Sequence, residues 1–242
     1  MLNRETLKEF TNKHQTTEKN IVREYIQHLF LSFLYKIPFS EKLLFKGGTA
    51  MKIIYGSPRF SEDLDFTGQN IFQYKMIDDV FIEVMSEIEK IGIDISLREA
   101  KPTTGGYLGI IHYKLYDISE DMNFEVSLRK GKELEKEIIT IVNDFIPAYT
   151  IVHLLAKEIT KGKIAALVDR KKPRDFYDFY YILRHPELHR YIEKEILIKV
   201  KDILNKTQIN FRKELSVLLP VSQHLILKDF KSLLIKEIEK NI

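Results

Sequence analysis

The sequence predicts an α+β protein, with a middle region of mixed helices and strands set between helical segments at both ends. Two observations predict it. Apolar residues recur at helical spacing before residue 36 and again towards the C-terminus. Between residues 93 and 129, by contrast, three runs carry apolar and polar residues with the two-residue period of a half-buried strand. The chain of 242 residues, 44% hydrophobic, is long enough to bury one large core or two small ones.

Taken in order, residues 4–36 read as helices, with Ile21, Tyr25, Leu29 and Phe33 forming an apolar stripe that Lys36-Ile37-Pro38 closes. Leu43-Leu44-Phe45 is a short strand, Ala50–Tyr55 a helix and Leu64–Phe66 a second strand. Tyr74–Ile91 has a helical period and stops at Gly92. Ile93–Arg98, Gly106–Tyr116 and Met122–Arg129 then alternate as strands, with Lys101–Gly106 as the turn joining two of them. From residue 133 onward the pattern is helical, including Ile151–Arg170, and is interrupted at Pro147, Pro173, Pro186 and Pro220. The expected division is therefore 1–132, N-terminal helices plus a mixed core, and 133–242, a helical domain.

Composition excludes some chemistry. The chain has no cysteine, so disulfides, zinc-thiolate sites and thiol catalysis are ruled out. Lys+Arg 38 against Asp+Glu 35 is close to balance, so overall charge makes no case for nucleic acid. The N-terminal segment lacks an apolar signal core, and no apolar run approaches the ~18 residues of a membrane span. A cytoplasmic protein is expected.

Function concentrates between Phe45 and Phe66, FKGGTAMKIIYGSPRFSEDLDF. Asp63 and Asp65, at i and i+2 on a strand, point to one face while Leu64 and Phe66 point to the other. Two adjacent carboxylates repel unless a cation lies between them, so a divalent metal is the natural explanation. Gly47 and Gly48 can adopt positive φ and bring backbone N–H groups up to a phosphate. Thr49 adds a hydroxyl at the start of a helix, whose N-terminus favours anions. A Gly-Gly pair alone is usually a turn, and a lone Asp-x-Asp usually surface charge. Their order, with a helix between, points to a nucleotide-plus-metal site.

These residues resemble the polymerase-β-like nucleotidyltransferases and, within them, the AbiEii-type toxins of bacterial abortive-infection and toxin–antitoxin systems. Gly47-Gly48-Thr49 with Lys52 looks like the first motif of that family and Ser61-Glu62-Asp63-Leu64-Asp65-Phe66 like the second. Lys163-Ile164-Ala165-Ala166-Leu167 and Arg170-Lys171-Lys172-Pro173-Arg174-Asp175-Phe176-Tyr177-Asp178 look like its C-terminal motifs. The resemblance runs from Lys46 to Leu183. It implies a polymerase-β-like core with a mixed sheet, an NTP substrate with Mg²⁺ (or Mn²⁺), and a growth-inhibiting toxin with a cognate antitoxin encoded nearby. Some relatives add nucleotides to the 3′ end of tRNA, so an RNA acceptor is expected; others in the superfamily modify a protein or a small molecule, and a catalytically idle nucleotide-binding module is the remaining alternative.

Three further groups complete the expected site. On the strand Met122–Arg129, Glu125 sits on the polar face, where its pattern fits either a solvated glutamate or a metal ligand beside Asp63 and Asp65; the resemblance implies the ligand. Lys163 and Arg170, seven apart on one helix face, are candidate phosphate ligands. Seven basic residues between Lys157 and Arg174 face two acids, the one strong local positive field in the chain. Lys171, Lys172 and Arg174 are its candidates for meeting RNA. Pro173 suits the first turn of a new helix carrying Asp175 and Asp178 at i and i+3. Asp175 either caps that helix, beside an Arg174–Asp178 ion pair, or is a catalytic residue that orients Lys163 or Arg170 or engages the acceptor directly. Phe176, Phe179, Tyr180 and Leu183 share a core-facing side, leaving Tyr177 and Tyr181 as candidate base-stacking residues.

Overall fold

The structure, a computed structural model, describes residues 1–71, 73–129 and 134–242. The chain groups into two compact units: Met1–Gly56 with Phe60–Leu154, and Ser57–Arg59 with Leu155–Ile242. The boundary expected between residues 132 and 133 lies outside the described residues.

In the first unit, helix α1 (Arg4–Lys13) begins where the Asn3 side chain accepts from Thr6 N–H, and α2 (Glu18–Leu34) where Thr17 accepts from Asn20 N–H. Ile21, Tyr25 and Leu29 of the expected stripe are buried, as are Val22, Ile26 and Phe30, so α2 is enclosed nearly all round. Helices α3 (Gly47–Ile53) and α4 (Lys75–Lys90) complete the helical part of this unit. Among the described residues, seven strands make one sheet in the order β3-β4-β5-β2-β1-β7-β6. They are β1 (Leu43–Lys46), β2 (Leu64–Gln69), β3 (Asp94–Thr103), β4 (Gly106–Leu115), β5 (Ile118–Arg129), β6 (Lys136–Ile141) and β7 (Tyr149–Leu154). The sheet is mixed: β2 runs antiparallel to β1 and parallel to β5, and β1 runs parallel to β7.

Alternation along the central strands sends Phe45, Phe66 and Phe124 to one face, where Phe30 of α2 and Phe81 of α4 join them. Phe66 and Phe124 stack at 4.5 Å between ring centroids, and Phe81 meets Phe124 edge-on at 4.1 Å. Aromatic pairs in such geometry add to area burial. The opposite face of β2 and β5 is thereby left for polar side chains.

Two expectations need correction. Residues 136–154 form strands β6 and β7 in place of the expected helix, so the Ile151–Arg170 helix begins only at Ala156. Both segments are β-branched, KEIITI and YTIVHL, and they pair along their whole length, Lys136 with Leu154 through Ile141 with Tyr149. The turn expected over Lys101–Gly106 is also shorter, because β3 runs on to Thr103.

The second unit holds α5 (Ala156–Arg170), α6 (Pro173–Arg184), α7 (Lys194–Lys206), α8 (Phe211–Leu218) and α9 (Phe230–Asn241). α5 stops at Lys171, whose φ of +54 is left-handed, and Pro173 opens α6. The core joins Leu167, Phe176, Phe179 and Leu183 to Val200, Leu204, Leu215, Phe230, Leu234 and Ile238, so α7 and α9 cover their own unit. Tyr177 belongs to this core too, stacked on Phe230 at 5.9 Å and only 2% exposed. Its expected base-stacking role therefore fails: α8 and α9 close over the α6 face that the helical period left open. Among the described residues no helix is long and apolar enough to cross a membrane.

Candidate active site

In the first unit the site is built where β1 passes directly into α3. The expected turn followed by a helix from Ala50 is instead a helix starting at Gly47, so Gly47, Gly48 and Thr49 form its first turn. Its leading N–H groups therefore lack intrahelical acceptors and suit an anion. Gly47 is required twice over. Its φ is +85, and a Cβ there would stand 2.0 Å from Oδ2 of Asp65. The Asp65 carboxylate thus lies directly against the start of α3.

Thr49 and Lys52 do different work from that expected. Thr49 is fully buried, and its hydroxyl donates to the carbonyl of Asp63, tying the acidic segment to α3. The Lys52 ammonium lies 3.5 Å from Glu24 of α2 and 4.0 Å from the centroid of the Phe60 ring. Burial raises the Glu24 carboxyl above its usual range despite Lys52. Both residues brace α3 from beneath.

Asp63 immediately precedes β2 and Asp65 lies within it, with Leu64 and Phe66 fully buried on the reverse face. Register sets Asp65 between Lys46 of β1 and Glu125 of β5. Neighbours in register share a face, so Asp65 and the exposed Glu125 present their carboxylates side by side. Lys46 Nζ donates to Ser127 Oγ at 3.0 Å, two residues along the same face of β5. Among the described residues, no three His, Asp or Glu side chains are already drawn together at metal-ligand spacing. The donor set is nonetheless all carboxylate oxygen, the chemistry that suits Mg²⁺, and the close approach that Gly47 permits leaves Asp65 on the exposed face.

The second unit carries the basic residues. Asp178 of α6, 1% exposed, accepts from Arg59 Nε at 2.7 Å and Nη2 at 3.0 Å, and from Lys163 Nζ of α5 at 2.8 Å. Burial alone would raise the Asp178 carboxyl, but Arg59 and Lys163 overcome it and hold it down to about 2. Two cations around one carboxylate leave this trio with a net positive charge. Asp175 accepts from Arg170 Nη2 at 2.6 Å and from the backbone N–H of Lys172 at 3.2 Å. It therefore both caps α6 and orients Arg170, while Asp178 is the residue that orients Lys163. Arg174 lies 3.7 Å from Glu214 of α8. Lys171 and Lys172 are exposed, as are Lys157 and Lys161.

Arg59 is the residue the sequence reading missed. It stands alone in a Gly/Ser/Pro loop, and its partner is 119 residues away. Flanking Pro58 and Phe60 give no periodicity that would show it buried.

A mixed sheet bearing an acidic pair beside a glycine-opened helix, with a second unit bearing buried Arg59 and the partly buried Lys163, is the arrangement of a nucleotidyltransferase, and the family comparison bears this out. Residues 29–240 match the model of the family "Nucleotidyl transferase AbiEii toxin, Type IV TA system". The chain belongs to this family, and is a nucleotidyltransferase toxin of a type IV toxin–antitoxin system. Among solved structures it is similar to JHP933 from Helicobacter pylori, at 21% identity over 93% of this chain and 96% of that one, with a TM-score of 0.59. It is also similar to MenT4, the nucleotidyltransferase toxin Rv2826c from Mycobacterium tuberculosis H37Rv. There the identity is 16% over 99% of this chain and 90% of that one, with a TM-score of 0.65. These likenesses establish the shared fold. No curated protein matches the chain.

Proposed function

We propose that the protein transfers a nucleoside monophosphate from an NTP to the terminal 3′ hydroxyl of an RNA, tRNA being the expected acceptor, in the cytoplasm and opposed by a cognate antitoxin. The observation that carries this reading is the in-register Asp65–Glu125 pair set against the first turn of α3 at Gly47. Asp63, Asp65 and Glu125 would hold Mg²⁺, which when bound neutralises phosphate charge and lowers the pKa of an acceptor hydroxyl.

The chain's own residues supply position and charge. N–H groups of Gly47 and Gly48 receive phosphate oxygens at the start of α3. Thr49 and Lys52 are positioning residues, the first holding Asp63 and the second holding α3 to α2. In the second unit, Lys163 and Arg170 serve phosphate oxygens, with Asp178 and Asp175 fixing their direction. Lys171, Lys172 and Arg174 meet the RNA backbone, and their contacts should weaken as salt rises. Little covalent chemistry is asked of the side chains, in keeping with phosphoryl transfer generally.

The test is incubation of the purified chain with Mg²⁺, each α-³²P-labelled NTP in turn and total cellular RNA, beside an Asp63→Ala/Asp65→Ala control. Label in a tRNA-sized band, lost in the control, is the expected result. Label on protein instead would overturn the RNA acceptor while leaving the transferase chemistry intact.

A further inference from the structure

Beyond Glu125, on the side away from α3, the sheet holds a cavity of about 220 Å³. The β3–β4 hairpin makes one wall of it and residues 125–127 of β5 the other. The hairpin is seated closely. Gly105 O accepts from Leu128 N–H at 2.8 Å, and a Cβ on Gly106 would stand 2.4 Å from the carbonyl oxygen of Val126. Glycine at 106 is thus what lets the hairpin close against β5.

Thr103, Thr104 and Ser127 bring hydroxyls, Gly105 and Gly106 bring backbone, Glu125 brings a carboxylate, and Tyr107, Leu108 and Val126 complete the lining. Lys46 Nζ reaches Ser127 Oγ at 3.0 Å. Hydroxyls and a carboxylate side by side exchange hydrogen bonds with the hydroxyl groups of a ligand. The volume lies below the ~300–1,000 Å³ usual for small-molecule sites, which suits a single sugar unit.

Strand order then gives the cavity a direction. Across the sheet the sequence of features runs α3 with Gly47 after β1, Asp65 on β2, Glu125 on β5, and the hairpin of β4 and β3. In an in-line displacement the attacking oxygen and the leaving group lie on opposite sides of the reacting phosphorus. With the leaving phosphates drawn to the start of α3, the attacking oxygen enters from the Glu125 side. We propose that the β3–β4 hairpin cavity is the acceptor subsite and seats the terminal ribose of an RNA through its free hydroxyls. This rests on the nucleotidyltransfer reading above. The 3′ oxygen forms a new bond to the α-phosphorus and the bond to the β-phosphate oxygen breaks. Pyrophosphate departs with the electron pair, and the hydroxyl proton passes to water.

Two variants test it in the full-length protein: Ser127→Leu, which fills the cavity, and Thr103→Val, which keeps its shape and removes a hydroxyl. Acceptor RNA is offered with free 2′,3′ hydroxyls, with a 3′-phosphate, and after periodate oxidation. Only the first should be labelled. Ser127→Leu should raise the KM for RNA by about tenfold or more, and Thr103→Val by about fivefold, the worth of one neutral hydrogen bond. The equilibrium Kd for the NTP should stay within about twofold of wild type, a change smaller than the loss of one such bond. A rise in the Kd for NTP with an unchanged KM for RNA would overturn the subsite, as would labelling of the oxidised ends.

A second readout needs no turnover. A dinucleoside monophosphate with free terminal hydroxyls, titrated into ¹⁵N-labelled protein, should shift the amides of Thr104, Gly105 and Gly106, and should no longer do so in Ser127→Leu. Shifts confined to other residues would sink the subsite whatever the enzyme's acceptor proves to be. Failure of the wild-type chain to bind any NTP would sink the transferase reading instead.

Discussion

Asp178 carries two cations in a site from which water is excluded, so each partner depends on the others. Replacing it with Ala removes the carboxylate from buried Arg59 and partly buried Lys163; stability should fall by about 3–5 kcal/mol, read as a lower urea midpoint. Its depressed pKa has a defined sign. The stabilisation is complete above the ordinary Asp value of 3.8 and is lost as pH falls from there through about 2. Asp65 behaves in the opposite way, because it is partly exposed. Asp65→Asn should cut nucleotide transfer by about 10²–10³-fold while leaving the thermal midpoint within a few degrees, measured by single-turnover assay and calorimetry. This difference explains what was legible in the sequence. The shared face of Asp65 and Glu125 could be read because the two-residue period of a strand fixes it. Arg59 could not, because nothing within its own segment records a partner 119 residues on. The roles of Asp175 and Asp178 were likewise undecidable from spacing, since both lie in the first turns of one helix and only the neighbouring α5 side chains separate them.

Helix α3 shows how a single backbone position governs an element. Gly47→Ala would force a side chain into the space of the Asp65 carboxylate at a left-handed φ. We expect at least a hundredfold loss of transfer, together with about 1–3 kcal/mol of stability, checked by assay and denaturant titration of the same preparation. Helix α2 carries a pH dependence of its own. His28 is buried, its Nδ1 lies 2.7 Å from the hydroxyl of Tyr149, and burial with the nearby Lys52 charge lowers its pKa to about 4. The ring therefore stays neutral in the fold while the unfolded chain takes up a proton below about 6.5. Stability is full above that value and declines as pH falls from 6.5 towards 4. Between pH 7 and pH 5 the wild-type chain should lose about 2 kcal/mol that His28→Gln does not, compared by urea midpoints at the two pH values. At this scale the sequence reading erred where local period and tertiary pairing disagree. KEIITI and YTIVHL are short apolar runs whose spacing admits either helix or strand; pairing with each other and with β1 decided for strand.

At the scale of the whole molecule, the α+β class and the family were legible because the motif residues cluster within two short stretches, while the grouping of the chain into units was not. The second unit is discontinuous: three residues, Ser57–Arg59, belong with Leu155–Ile242. That excursion has a consequence for synthesis on the ribosome. Arg59 is translated 119 residues before Asp178, an interval of about 6–24 s at bacterial rates of elongation. Throughout that interval Asp178 is absent, although the residues on both sides of Arg59 already belong to a unit able to begin folding. The Arg59–Asp178 pair can therefore close only after α6 has been synthesised. A pause after residue 154 would prolong the wait, and no early closure of the segment could be productive. The contacts of Lys163 and Arg59 with Asp178 therefore form only once α6 has been made.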